Sequence, residues 1–269
     1  MCIRDRLYGL EGFATPSMIR KPDKDTKLYG HNDPFPDDIF EKDGVYIDGG
    51  VWRFHPKTKE FEIVAHGFSN PWGIDYDSKG QMFITACVIP HAFHVVQGGV
   101  YHRQGGKHLN PYIYSDIRTI VDHRHRSAHG GARIYLSDSY PEEHYGKLFM
   151  ANIHEHAILS DNLKKKGSSY VASHADDFMY ANNAQFVGFS MEVGPEGGLY
   201  VLDWHDGSIC GNEVIPNAPI AYSTTKAALN FYVKSISRPL GENGVRINVI
   251  SPGNIYFETS VTVSYTHLT

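Results

Sequence analysis

Sixteen of the 269 residues are histidine, most of them between His91 and His205. That is an unusual supply of side chains that carry protons near neutral pH or ligate metals. The densest run is His123-Arg124-His125-Arg126-Ser127-Ala128-His129-Gly130-Gly131-Ala132-Arg133. Its arginines and imidazoles would repel one another if all were charged and packed together. They must therefore stand on solvent or face an anionic group. A second group is Asn152-Ile153-His154-Glu155-His156. On a strand, residues i and i+2 share a face, so His154 and His156 would project together with Glu155 opposite. A third is Asp203-Trp204-His205-Asp206, just after an apolar strand-like run. Three uses remain open for these groups: lining a substrate or cofactor mouth, ligating a metal, or serving as structural polar residues. No HExxH is present, so no dedicated metal motif settles the choice and the identity of any ion stays open. Far downstream, Tyr222 and Lys226 stand four apart, on one face of any helix that holds them. A lysine there lowers the tyrosine pKa, so the phenol can exchange a proton with a carbinol or carbonyl.

The elements that must position these residues change character along the chain. From about 44 to 214, short runs rich in Val, Ile, Tyr and Phe recur between Gly, Pro, Asn and Asp. Gly49–Phe54, Phe61–Ala65, Gly73–Asp77 and Gln81–Thr85 read as four strands of one meander of about 42 residues. A similar unit reappears at Phe189–Val193 and Gly198–Leu202. Its turn residue Gly197 stands 117 positions after Gly80, close to three units of about 40. Four-stranded meanders at that period imply a β-propeller, whose blades bury their faces on their neighbours. From 216 the texture switches. Ala221–Leu240 reads as one helix, Gly241–Gly244 as its stop, and Val245–Ile250 as a strand. That is half of a βαβ unit. The expected fold is thus mainly β: an incomplete propeller of about four to five four-stranded blades, then a short helix–strand α/β fragment.

Composition narrows the function. With 25 basic against 30 acidic residues and a net charge of −5, no basic stripe marks a nucleic-acid binder. No run of 18 apolar residues suggests a membrane span. Cys2, Cys87 and Cys210 are three, far apart, and form no CxxC, so neither a thiolate zinc site nor a redox pair is implied. The acidic loop His31–Asp38 offers oxygen ligands without the spacing of a calcium-binding loop, and reads as solvated. The terminal hexamers Met1–Arg6 and Ser264–Thr269 look like translated adapter tails.

On Gly50–Phe54, His66–Gly73, Val121–Gly131, Met150–His156 and Val201–Asp206, the stretch from about 7 to 214 resembles the propeller domain of membrane-bound dehydrogenases of planctomycete-type bacteria. These are similar to glucose/sorbosone dehydrogenases. The resemblance implies a fragment of an oxidoreductase acting on a sugar or alcohol, with a quinone (PQQ-like) at the propeller mouth together with calcium, and the fragment is expected to be inactive as it stands. It makes His129 the general base that takes a hydroxyl proton as hydride leaves, with Arg126 or Arg133 pairing the cofactor carboxylates. His154, His156 and His205 would line that mouth. A non-catalytic propeller that binds carbohydrate or protein is the alternative.

Ala221–Leu229 followed by Val245–Gly253 resembles the short-chain dehydrogenase/reductase family over about 216 to 258. This implies Tyr222 as acid/base, Lys226 on the nicotinamide ribose of NAD(P), and Pro252 and Gly253 beside the nicotinamide. The glycine-rich phosphate loop of that family is absent, and its serine position falls on Ile209. The simplest organisation is therefore a chimeric join of two unrelated pieces: tail 1–6, partial propeller 7–214, reductase fragment 216–259 and tail 260–269. The first family implies export to the periplasm and the second the cytoplasm.

Overall fold

The computed structural model describes residues 5–14, 16–21, 33–34, 44–87, 90–104, 113–126 and 128–205, with two short strands at 208–209 and 212–213. The chain divides into two units, Met1–Ile215 and Pro216–Thr269, and all of the second lies outside the described residues. The helix and strand expected there, with Tyr222, Lys226, Pro252 and Gly253, lie outside them too. So does most of the acidic loop His31–Asp38.

The first unit is built from strands. In chain order these are β1 (Leu7–Glu11), β2 (Ser17–Ile19), β3 (Val45–Ile47), β4 (Gly50–His55), β5 (Glu60–His66), β6 (Pro71–Tyr76), β7 (Met82–Ala86), β8 (Ala92–Val95) and β9 (His129–Ile134). Then follow β10 (Leu148–Asn152), β11 (Ala157–Lys166), β12 (Ser169–His174), β13 (Met179–Tyr180), β14 (Gly188–Val193), β15 (Leu199–Asp203), β16 (Ser208–Ile209) and β17 (Asn212–Glu213). No α-helix occurs among the described residues, where the 3-10 turn Glu142–His144 joins the strands, and no helix is long and apolar enough to cross a membrane. The mainly β expectation holds. Every strand pair is antiparallel.

The sheets run in chain order as β1-β4-β5, β6-β7-β8, β9-β10-β11-β12 with β13 added, and β14-β15, beside the two-stranded β2-β3 and β16-β17. The meander read over 49–85 is therefore divided between two sheets. The reason lies between β5 and β6, where Gly67, Phe68 and Asn70 all have positive φ (105°, 67° and 46°) and swing the chain away. A Cβ on Gly67 would also sit 2.1 Å from the Tyr101 carbonyl oxygen, so only glycine permits this exit. Strand β1 completes the first sheet, pairing Leu7–Glu11 with Phe54–Gly50. Strand β8 completes the second, pairing Val95–Ala92 with Met82–Thr85.

Successive sheets stack face to face, as the period-2 side-chain alternation requires. On β7, Met82, Ile84 and Ala86 enter a core with Val51, Val64, Ala65, Phe68, Phe93 and Tyr101. Phe83, between them, points the other way, into a core with Ile134, Leu148, Met150, Leu159 and Ala172. Strands β10 and β11 repeat the division: Phe149 and Ile158 join Tyr135 and Met191 in a third core. Each middle sheet is thus buried on both faces. At about 25 cal/mol per Å² of apolar surface, a fully buried side chain such as Phe149 contributes roughly 2–3 kcal/mol.

The first strands of three successive sheets, β6, β9 and β14, meet edge to edge. Arg133 of β9 pairs with Asp75 of β6 at 3.1 Å and donates to the Met191 carbonyl of β14. Asp75 also accepts the Ile134 N–H at 2.6 Å. The Thr85 hydroxyl donates to the Gly131 carbonyl at 2.7 Å in a buried contact. Thr85→Val keeps the shape and removes the donor. The expected loss is about 1–2 kcal/mol, read as a lower urea midpoint at an unchanged m-value; an unshifted midpoint would show that the bond carries no net stability.

Candidate functional site

The dense histidine run supplies one side of the site. Residues 121 to 126 alternate between half-buried and exposed, with Val121, His123 and His125 facing in and Asp122, Arg124 and Arg126 facing out. The segment bends at Asp122 and His123 and is pinned at both ends. Thr119 Oγ1 and Ile120 N donate to the Ala92 carbonyl, and Asp122 N donates to the Ala172 carbonyl. Further on, Asn152 Nδ2 donates to the Arg126 carbonyl, Ile153 N to that of Ala128, and His129 N to that of Cys87. Sheets β6–β8 and β9–β12 are thereby stitched together by this one stretch of chain.

Its inward imidazoles converge on Asp161, a fully buried residue in the middle of β11. Asp161 Oδ1 lies 3.1 Å from His123 Nε2 and 3.6 Å from His125 Nε2. Asp161 Oδ2 accepts from His91 Nε2 at 2.7 Å. His91 ends the β7–β8 turn, which its carbonyl closes by accepting the Ala86 N–H. His123 Nε2 and His125 Nε2 are 3.1 Å apart. The ligand atoms of His91, His123, His125 and Asp161 all lie within 4.8 Å of one another. His129, the first residue of β9, stacks on His91 at 4.6 Å and neighbours His125 at 5.8 Å. His174, opposite Asp161 in register, packs on His125 at 4.5 Å.

The electrostatics divide cleanly. Burial pushes the Asp161 carboxyl up, but hydrogen bonds from His125 and His91 outweigh it and hold the group below the usual carboxylate range. Burial lowers His91, against the opposing pull of Asp161. Burial, with His91 and His125 adding to it, lowers His129 to about 3. These directions leave Asp161 ionised and His91 and His129 uncharged at neutral pH. His129 is 2% exposed, and neither of its ring nitrogens makes a well-formed hydrogen bond. A surface pocket lined by Pro90, Thr119, Val121, Asp122, His123 and Arg124 opens beside the cluster.

The other expected residues lie elsewhere. His154 and His156 are not on a strand. They occupy the four-residue turn between β10 and β11, because Asn152 Oδ1 accepts the N–H groups of His154 and Glu155 and bends the chain. Their shared strand face is therefore corrected. His156 adopts φ 53° and bonds through Nδ1 to the Phe186 carbonyl. His154 is lowered by burial and by nearby Arg126, whose own side chain is on the exposed side. Arg133 is engaged by Asp75, Glu192 and the Met191 carbonyl. It lies four residues along β9 from His129, about 13 Å away. His205 is exposed beside Asp203. Of the residues expected at one mouth, only His129 joins the cluster. Nothing in the sequence pattern assigns His91 or Asp161 to this group. The signal available for Asp161 was a carboxylate at the end of the apolar strand run Ala157-Ile158-Leu159-Ser160.

No curated protein sequence matches the chain. Among solved structures, an oxidoreductase (glucose dehydrogenase) of Thermus thermophilus aligns at 20% identity over 57% of this chain and 48% of its own, with a TM-score of 0.44. The soluble aldose sugar dehydrogenase of Escherichia coli aligns at 15% identity over 58% and 51%, with a TM-score of 0.41. The chain spans about half the length of these two structures. A family model described as enoyl-(acyl carrier protein) reductase matches residues 205–266. A second model matches residues 21–235, overlapping the first at 205–235. As that second match extends over well beyond half of the sequence, the chain belongs to the family described as domain of unknown function (DUF7133).

Proposed function

We propose that residues 7–214 are part of an oxidoreductase that removes hydride from a hydroxyl-bearing small molecule, a sugar or an alcohol, with His129 as proton acceptor. The observation carrying this reading is the placement of His129: buried, its two ring nitrogens without well-formed partners, and stacked on His91 beside Asp161, whose negative charge favours the imidazolium that proton uptake would form. The family resemblance and the names of the aligned dehydrogenases point the same way, and a quinone with calcium would accept the hydride. The test is a dye-linked dehydrogenase assay on aldoses and primary alcohols, with quinone and calcium added. Turnover should require both additions. His129→Gln should lower it at least about 100-fold with an unchanged circular dichroism spectrum. Turnover insensitive to His129→Gln would remove the assigned role, and no turnover on any substrate would favour a binding module. The match at 205–266 favours a second reading, that a reductase fragment carrying Tyr222 and Lys226 is joined to the first unit. A nicotinamide fluorescence titration tests whether that fragment retains cofactor affinity; on the fused reading it shows none.

A further inference from the structure

We propose that His91, His123, His125 and Asp161 form a binding site for one divalent first-row transition-metal ion. This goes beyond the dehydrogenase reading and does not depend on it, since neither hydride transfer nor calcium calls for imidazole ligands.

The first argument is the donor set. Asp161 is fully buried, and its neighbours are imidazoles: His91, His123 and His125 in contact, with His129 and His174 behind them. A buried carboxylate is stable when paired or bound to a metal. His123 Nε2 and His125 Nε2 stand only 3.1 Å apart, and one divalent cation between the three nitrogens and the carboxylate gives each of these donor atoms a partner.

Geometry is the second. Ligand atoms on a tetrahedral ion with bonds of about 2.1 Å stand about 3.4 Å apart. The separations of 3.1, 3.1 and 3.6 Å among Asp161 Oδ1, His123 Nε2 and His125 Nε2 lie close to that value. His91 Nε2 stands 2.7 Å from Asp161 Oδ2, and no pair of ligand atoms in the set exceeds 4.8 Å. Asp161 Oδ1 is buried without a well-formed hydrogen bond, with His123 Nε2 and His125 Nε2 as its neighbours.

The support behind the ligands is the third. Metal-ligating histidines hand their second ring nitrogen to a carboxylate or carbonyl. His123 turns Nε2 to Asp161 and Nδ1 to Asp122 Oδ1, at 3.2 Å. Asp122 is itself fixed by the Ser173 hydroxyl at 2.6 Å. The pocket beside His123 gives an entry path. Three imidazoles and one carboxylate suit Zn²⁺, Co²⁺, Fe²⁺ or Cu²⁺. Calcium and magnesium, which take oxygen ligands, are disfavoured.

The test uses the full chain, freed of metal by chelator and titrated with Co²⁺, then competed with Zn²⁺. We expect saturation at one ion per chain with the visible absorption of nitrogen-ligated Co²⁺. His123→Gln or His125→Gln should weaken binding at least about 100-fold, and Asp122→Ala, which loosens only the second nitrogen of His123, about 10–100-fold. His144→Gln, outside the cluster, should leave binding unchanged. Zn²⁺ should raise the Tm of the wild type and not that of His123→Gln. Should a ligand variant fail to fold, electron paramagnetic resonance of the Cu²⁺-loaded wild type decides alone, because three coupled imidazole nitrogens are expected. Absence of a saturable site, oxygen-only ligation, or undiminished binding in a folded His123→Gln chain would each overturn the assignment.

Discussion

Gly73→Ala is expected to destabilise the first unit by at least about 3 kcal/mol, at the upper end of overpacking costs or beyond. A Cβ at Gly73 on β6 would stand 2.2 Å from the Gly131 carbonyl carbon, 2.3 Å from Ala132 N and 2.5 Å from the Gly131 oxygen, all backbone atoms of β9. No rotamer change relieves an overlap with main chain, so the two strands must part. Parting them strains the Thr85–Gly131 bond and the two bonds Asp75 makes to Arg133 and Ile134. The φ of Gly73 is not in the left-handed region, so its requirement is for space alone. Gly98 is the converse: its φ is 79°, and nothing lies within 4 Å of an added Cβ. Gly98→Ala should cost only about 1–2 kcal/mol, the strain of a positive φ. Urea unfolding of the two variants separates close approach from conformational freedom. A Gly73→Ala chain no less stable than Gly98→Ala would show that β6 and β9 are not in contact.

Those two strands show what the sequence could and could not convey. Alternation and turn residues are local signals, so β4, β5, β6, β7, β14 and β15 lie within two residues of the runs that announce them. Which strands share a sheet is not local. It turns on the positive-φ exit through Gly67, Phe68 and Asn70, which no apolar pattern announces. The histidine run is readable to the level of a choice between solvent and an anionic partner. Both answers apply at once, because alternate residues of the segment face opposite ways, Arg124 and Arg126 outward and His123 and His125 inward. The partner is not readable, since His91 and Asp161 are separated by 70 residues and meet only when two sheets stack. His154 and His156 look like a strand pair because the period fits. The side chain of Asn152 overrides that period by capping the turn.

Acid should unfold the metal-free chain well above the range where its carboxylates titrate. Burial holds the folded-state pKa of His129 at about 3, below its unfolded value near 6.5, and burial lowers His91 as well. Between those limits the unfolded chain binds protons that the folded chain does not, so stability is full above pH 6.5 and falls as pH drops. For His129 alone the loss from pH 7 to pH 5 is about 2 kcal/mol, rising to about 3 kcal/mol at pH 4. His91 adds in the same direction. Asp161, lowered in the folded state, withdraws its contribution only below about pH 4, where the unfolded carboxyl protonates. The check is urea unfolding in chelator-containing buffer from pH 7.5 to pH 4.5. The wild type should take up more than one proton per chain on unfolding near pH 5.5, and His129→Gln should take up about one fewer. A stability that stays level down to pH 5 would mean that His129 is protonated in the folded state, and hence that its ring reaches water or an anionic partner.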